Sequence, residues 1–79
     1  MKATVLVRPK AGILDPQGEA VESSLRQLGF AVGEARVGRV LDLDVDAPSA
    51  AEARKEIERM CRHLLANPLI ESYEIEIAE

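Results

Sequence analysis

The segment Arg39-Val40-Leu41-Asp42-Leu43-Asp44-Val45-Asp46 alternates apolar and acidic residues from Leu41 onward. An alternation of period two predicts a β-strand with one buried and one solvated face. Strands of this kind are typical of antiparallel sheets that are open to water on one side. The three aspartates would lie about 7 Å apart along the solvated face, given the rise of a strand. We interpret them as solvated carboxylates, because a metal site needs ligands that converge from other elements.

Toward the N-terminus, the sequence predicts a strand, a helix and a second strand. Lys2–Arg8 alternates and stops at Pro9, which cannot donate a ladder hydrogen bond. Asp15 and Pro16 are a capping residue and a first-turn residue of a helix that continues to Gly29. Phe30–Val37 is predicted as a strand that turns at Gly38 and forms a hairpin with residues 39–46.

Toward the C-terminus, the sequence predicts a helix and a last strand. Ser49 and Glu52 form a capping box, and Asn67-Pro68 ends the helix. Leu69–Ile77 alternates again, with Tyr73, Ile75 and Ile77 facing inward. The helix is expected to bury one stripe, which consists of Ala53, Ile57, Met60, Cys61 and Leu64.

The element order β-α-β-β-α-β predicts an α+β fold of the ferredoxin-like type. This is a two-layer sandwich with a four-stranded antiparallel sheet, in strand order 4-1-3-2, and two helices on one face. We expect residues 1–79 to form a single domain. Leu6 and Val40 make the uncovered sheet face partly apolar, so they are candidates for self-association into a homodimer or homotetramer.

Composition excludes several classes of protein. The chain has 79 residues, a formal net charge of −4 and 3% aromatic residues, so a nucleic-acid binder is not expected. No apolar stretch is long enough for a membrane span and no signal peptide is visible, so we expect a cytoplasmic protein. A single cysteine and a single histidine argue against an internal disulfide and a zinc site.

Few side chains suggest chemistry. Cys61 lies on the predicted apolar stripe, so we expect a buried structural thiol, and His63 is expected to be exposed. Glu71, Glu74 and Glu76 are interpreted as protection of an edge strand. Without a phosphate-binding loop or a nucleophile elbow, no catalytic, cofactor-binding or metal site is expected in this chain alone.

Several short motifs, taken in order, resemble one known family. They are Lys10–Gly18 (KAGILDPQG), Leu28-Gly29, Gly38-Arg39, and Leu64–Pro68 (LLANP) followed by Ile70-Glu71. This set is similar to PurS, the family of small subunits of phosphoribosylformylglycinamidine synthase, which is also called formylglycinamide ribonucleotide amidotransferase. The resemblance covers essentially the whole chain. Arg39 stands where the family more often has lysine.

The resemblance implies a non-catalytic subunit of an enzyme of de novo purine biosynthesis, a ligase that uses glutamine. The whole complex would use ATP and magnesium, while this chain would bind neither. Its partners would be a synthetase subunit, a glutaminase subunit and further copies of itself, with a role in assembly and in ammonia transfer. The candidate partner contacts are Lys10, Asp15, Gln17, Arg36, Gly38, Arg39 and Asn67.

Fold alone leaves two other functions open. One is a regulatory module of ferredoxin-like architecture that senses a small metabolite, for which the loop near Gly12 would suit a ligand. The other is a small acyl phosphate hydrolase that uses Arg8 and Asn67, although the first loop lacks the signature of such enzymes.

Overall fold

The computed structural model describes residues 1–78 and contains three strands and two α-helices in the order β-α-β-α-β. A π-helical turn follows the second α-helix directly. The elements are β1 (Lys2–Pro9), α1 (Pro16–Gln27), β2 (Arg39–Asp44), α2 (Ala50–Met60), the π-turn (Cys61–Leu65) and β3 (Glu71–Ala78).

The sheet is antiparallel, with β1 in the centre between β2 and β3. Val5 lies opposite Leu41 on one side and Ile75 on the other, so each of these alternating strands contributes apolar side chains to the same face. The aspartates of the alternating segment are exposed, which confirms the predicted solvated face.

One apolar cluster holds the sheet and α2 together. Val5, Val7, Ile57 and Cys61 are its largest fully buried side chains. Burial of such side chains contributes about 1.5–3 kcal/mol each relative to exposure. Neither α1 nor α2 combines the length and the apolar character that a membrane crossing requires.

The predicted strand Phe30–Val37 is wrong, and with it the hairpin and the four-stranded sheet of order 4-1-3-2. This segment runs beside α1 without strand structure, and the sheet has three strands within residues 1–78. Side chains bind its backbone groups instead: Glu22 Oε1 accepts from the amide of Ala35 at 3.1 Å, and Asp15 Oδ2 accepts from the amide of Val37 at 2.8 Å. Arg26 donates to the carbonyls of Val32 and Gly33 at 3.0 and 2.7 Å.

The prediction that both helices cover one face of the sheet is also wrong. Among residues 1–78, α2 packs against the sheet, whereas α1 and the segment 30–37 form an arm that projects from it. The radius of gyration is 15.8 Å, against about 12 Å for a globular chain of this length. The apolar side chains of Val21 and Leu28 on this arm are therefore exposed.

The predicted buried stripe of the second helix is confirmed for Ala53, Ile57 and Cys61 but is wrong for Leu64, which is 83% exposed. The π-turn changes the helical phase after Met60, so that Leu65 turns toward the core in place of Leu64. The predicted capping box is confirmed for Ser49, whose Oγ accepts from the backbone amide of Glu52 at 3.2 Å, whereas the Glu52 carboxylate pairs with Lys55 at 3.8 Å.

Candidate functional site

Most of the candidate contact residues converge at one end of the sheet, where β1 ends and where β2 and β3 begin. We call this region the sheet-end corner. It consists of Lys10, Arg36, Gly38, Arg39, Asn67 and Glu71. These residues come from three separate stretches of the sequence, and hydrogen bonds join most of them directly or through one backbone group.

Arg39 and Glu71 form the central ion pair of the sheet-end corner. The guanidinium donates to both carboxylate oxygens, at 2.7 and 3.1 Å, and it also donates to the carbonyl of Leu65. A planar guanidinium can hold a carboxylate in this two-point way, and a lysine ammonium cannot. The hydrogen bond from Arg39 and a second from the backbone amide of Asn67 lower the pKa of Glu71. The same ion pair raises the pKa of Arg39.

Asn67 and Lys10 close the turn into β3. Asn67 Oδ1 accepts from the backbone amide of Leu69 at 3.1 Å, and the backbone amide of Asn67 donates to Glu71 Oε1 at 2.7 Å. The Lys10 ammonium donates to the carbonyl of Pro68 at 2.7 Å, while its own carbonyl accepts from Arg36 at 2.9 Å. These side chains stabilise the corner itself, so their residue types already have a structural reason.

Asp15 ties α1 to the segment that returns toward β2. Its carboxylate caps the helix through the amide of Gly18 at 3.1 Å and accepts from the amide of Val37 at 2.8 Å. These two hydrogen bonds, with that from Val37 the larger cause, lower the pKa of Asp15. Gln17 is exposed on the first turn of α1 and is not one of the residues of the sheet-end corner.

Two important residues, Gly18 and Glu71, were not among the sequence-based candidates. Gly18 is buried, and a Cβ there would meet the carbonyl oxygen of Ala35 and the Asp15 carboxylate. Glu71 is the carboxylate that Arg39 holds, rather than mere edge protection. The sequence offered a reason to consider both, because Gly18 is the last residue of the motif KAGILDPQG and Glu71 is the last residue of the motif Ile70-Glu71.

The two groups that could carry chemistry outside the sheet-end corner behave as predicted. Cys61 is buried, and burial followed by the nearby Glu58 carboxylate raises the pKa of its thiol. A thiol in these surroundings is a poor nucleophile, because the thiolate is the reactive form. His63 is exposed. Among residues 1–78, no three metal-ligating side chains are grouped.

Replacing Glu71 by glutamine should lower the free energy of unfolding by about 1 kcal/mol at pH 7, because a charge-assisted pair near the surface is lost. The folded-state pKa of Glu71 is lowered from 4.5, so its contribution is present above that pH and is lost as pH falls through the folded value. Urea unfolding between pH 3 and 7 should therefore show weaker acid destabilisation in Glu71→Gln than in the parent chain.

Glu74→Gln is the matched control for this prediction. Glu74 lies on the same strand and pairs with Arg8 at 3.2 Å, but both side chains are largely exposed. Its substitution should change the free energy of unfolding by less than about 0.5 kcal/mol. An equal loss in both variants at pH 7 would contradict the assigned role of Glu71.

Comparison with known proteins identifies relatives along the whole chain. The family model described as "PurS: Phosphoribosylformylglycinamidine (FGAM) synthase" matches residues 2–79. The PurS subunit of this synthase from Archaeoglobus fulgidus is 45% identical over 76 residues, which is 95% of each chain. The corresponding subunit from Methanocaldococcus jannaschii is 38% identical over 77 residues, 96% of this chain and 93% of that one.

Solved structures agree with the observed fold. A PurS structure from Bacillus subtilis has a TM-score of 0.89 at 35% identity and covers 99% of this chain and 98% of that chain. A chain in a structure described as PurLQS from Thermotoga maritima has a TM-score of 0.85 at 33% identity, over 95% and 93% of the two chains. With a family model over residues 2–79 and relatives of nearly equal length, the chain belongs to the PurS family.

Proposed function

We propose that this chain is a non-catalytic subunit of phosphoribosylformylglycinamidine synthase that holds a synthetase subunit and a glutaminase subunit together. The observation that carries the proposal is the match, over nearly the whole of both chains, to a chain of the PurLQS structure. The site geometry supports it, because the corner residues are engaged with one another and build a surface. On this proposal, ATP and magnesium are bound by the other subunits.

Reconstitution of the synthase tests this function. Purified synthetase and glutaminase subunits are mixed with and without the chain, and glutamine-dependent formation of formylglycinamidine ribonucleotide is measured. We expect the activity to depend on the chain, while activity with added ammonia, which bypasses the glutaminase, changes much less. Equal glutamine-dependent activity in both mixtures would contradict the proposal.

The alternative of a metabolite-sensing module has less support from the contacts. The loop near Gly12 is followed by Asp15, whose carboxylate already accepts from two backbone amides. Arg36, from the returning segment, donates to the carbonyl of Lys10. Titration calorimetry of the isolated chain against amino acids and nucleotides distinguishes the functions, because micromolar binding would favour the sensor.

Self-association through the open face of the sheet is part of the proposed function. Leu6 lies on the central strand directly between Val40 on β2 and Glu74 on β3. Val40 is 62% exposed, and Leu6 is half-buried. An apolar pair in an otherwise polar sheet face is suited to a second copy of the same surface.

Charged residues at both positions, as in Leu6→Lys with Val40→Lys, should weaken self-association about tenfold or more. The reason is that two lysines of each copy would face those of the other. Sedimentation equilibrium measures the effect, with Leu69→Lys as the control, since Leu69 is 82% exposed and outside this face. A double variant that is folded, by circular dichroism, and unchanged in oligomeric state would contradict self-association through this face.

A further inference from the structure

The segment 30–37 of the arm has one free edge. Its last four residues alternate between exposed and half-buried, as they do in an extended chain. The backbone amides of Ala35 and Val37 point inward, where carboxylates of the arm accept from them. The intervening amides, of Glu34 and Arg36, have no hydrogen-bond partner within the part of the chain that the structure describes. Such a row of unpaired amides is able to pair with another strand.

The outer edge of β2 is also free. β1 pairs with β2 on one side, and within residues 1–78 no strand lies on its other side. Just after β2, the amide of Val45 points inward and donates to the carbonyl of Met1 at 2.8 Å. The inward amides thus have odd numbers before and after β2, which places the two free edges on the same side of an extended chain.

Gly38 connects the two free edges without a turn. A tight hairpin turn needs a positive φ, which Gly38 does not have. A Cβ at this position would meet the carbonyl oxygen of Val7, so residue 38 lies against the central strand. Asp15 fixes the root of the arm, because it accepts from the amide of Val37 at 2.8 Å. The arm consequently does not turn back onto β2 of its own copy, and its free edge is left for another chain.

The chain exposes more surface than a compact monomer of its size. Its accessible surface is 5630 Å², against about 4,700 Å² for a globular chain of 8.6 kDa. The excess of about 900 Å² matches the roughly 800 Å² that each partner contributes to a stable interface. Leu28 and Phe30 of the arm contribute to this excess, since they are 74% and 60% exposed.

We propose that the arms of two copies of this chain pair reciprocally across a twofold axis near Gly38. The segment 30–37 of each copy lies antiparallel along the free edge of β2 in the other copy. α1 then lies over the sheet of the other copy, where Leu41 and Leu43 are only half-buried. A second copy is favoured over a strand of another subunit, because one twofold operation fills both free edges and buries an area that a stable dimer needs. The arm is a second surface, separate from the open face of the sheet, so this inference goes beyond the proposed function.

Amide hydrogen exchange tests the pairing residue by residue. In the self-associated chain, we expect the amides of Glu34 and Arg36 to exchange at least about 100-fold more slowly than in an unstructured chain, because carbonyls of the second copy accept from them. Association through the open face alone would leave both amides unprotected, which would overturn the inference and leave the proposed function intact. Protection that appears only after the synthetase subunit is added would also overturn it, because the occupant would then be another protein.

The pair Glu34→Pro and Glu34→Ala provides an independent test. Both variants lose a carboxylate that is 70% exposed, but only proline also removes the outward amide. Sedimentation equilibrium should show self-association weakened about tenfold or more in Glu34→Pro and less than about twofold in Glu34→Ala. Equal self-association of the two variants would overturn the inference. Circular dichroism should show both variants folded, because residue 34 lies outside the core.

Discussion

Replacement of Ile57 by alanine should lower the free energy of unfolding by about 3–4 kcal/mol, the typical cost of a cavity in a well-packed core. Ile57 is fully buried, and it packs in the cluster that joins α2 to the sheet. A domain of this size has a total stability of about 4–12 kcal/mol, so the variant should be close to unfolding at 37 °C. Urea unfolding followed by circular dichroism measures the change.

Leu64→Ala is the control for this prediction. It removes a leucine from the same helical segment, but from a position that is 83% exposed, so its free energy of unfolding should stay within about 0.5 kcal/mol of the parent value. If Ile57→Ala proved as mild as Leu64→Ala, the core would not lie between α2 and the sheet.

Replacement of Gly38 by alanine should lower the free energy of unfolding by about 2–3 kcal/mol, because a side chain there has no space. Its Cβ would meet the carbonyl oxygen of Val7, with the carbonyl carbon of Val7 at 3.3 Å and the Cα of Arg8 at 3.4 Å. These atoms belong to the backbone of the central strand, which cannot move aside without disturbing its pairing with β2.

Gly33→Ala is the matched control for Gly38→Ala. A Cβ at Gly33 has no neighbour within 4 Å, so alanine there should be neutral or slightly stabilising, through the less flexible unfolded chain. The comparison separates loss of glycine flexibility from loss of space. If Gly38→Ala and Gly33→Ala had the same free energy of unfolding, the close approach of residue 38 to β1 would not limit stability, which would contradict this prediction.

Local patterns predicted the elements that bury one clear face. The alternating segments became β1, β2 and β3, and both helix starts were visible from their caps. The segment 30–37 was mispredicted because its backbone is satisfied by Glu22, Arg26 and Asp15. Such contacts between side chains and backbone leave no trace in the hydrophobic pattern. The position of Leu64 was missed for a related reason, since periodicity assumes a regular helix.

The sheet-end corner could be predicted as a set of residues but not as a contact network. The resemblance to PurS marked Lys10, Arg39 and Asn67, which the fold brings together at one end of the sheet. Their joint hydrogen bonds with Glu71 and with backbone carbonyls depend on how three strand ends meet. The pairing of Arg39 with Glu71 also gives a structural reason for arginine at this position, since only a guanidinium spans both carboxylate oxygens.

Sedimentation velocity tests the assembly role most directly. The purified synthetase and glutaminase subunits are sedimented together, with glutamine, ATP and magnesium present, in the presence and absence of this chain. The proposed function predicts a complex that contains both enzymes only when the chain is present, and the chain should sediment with it. A complex of the two enzymes that forms equally well without the chain, or that leaves the chain behind, would contradict the assignment.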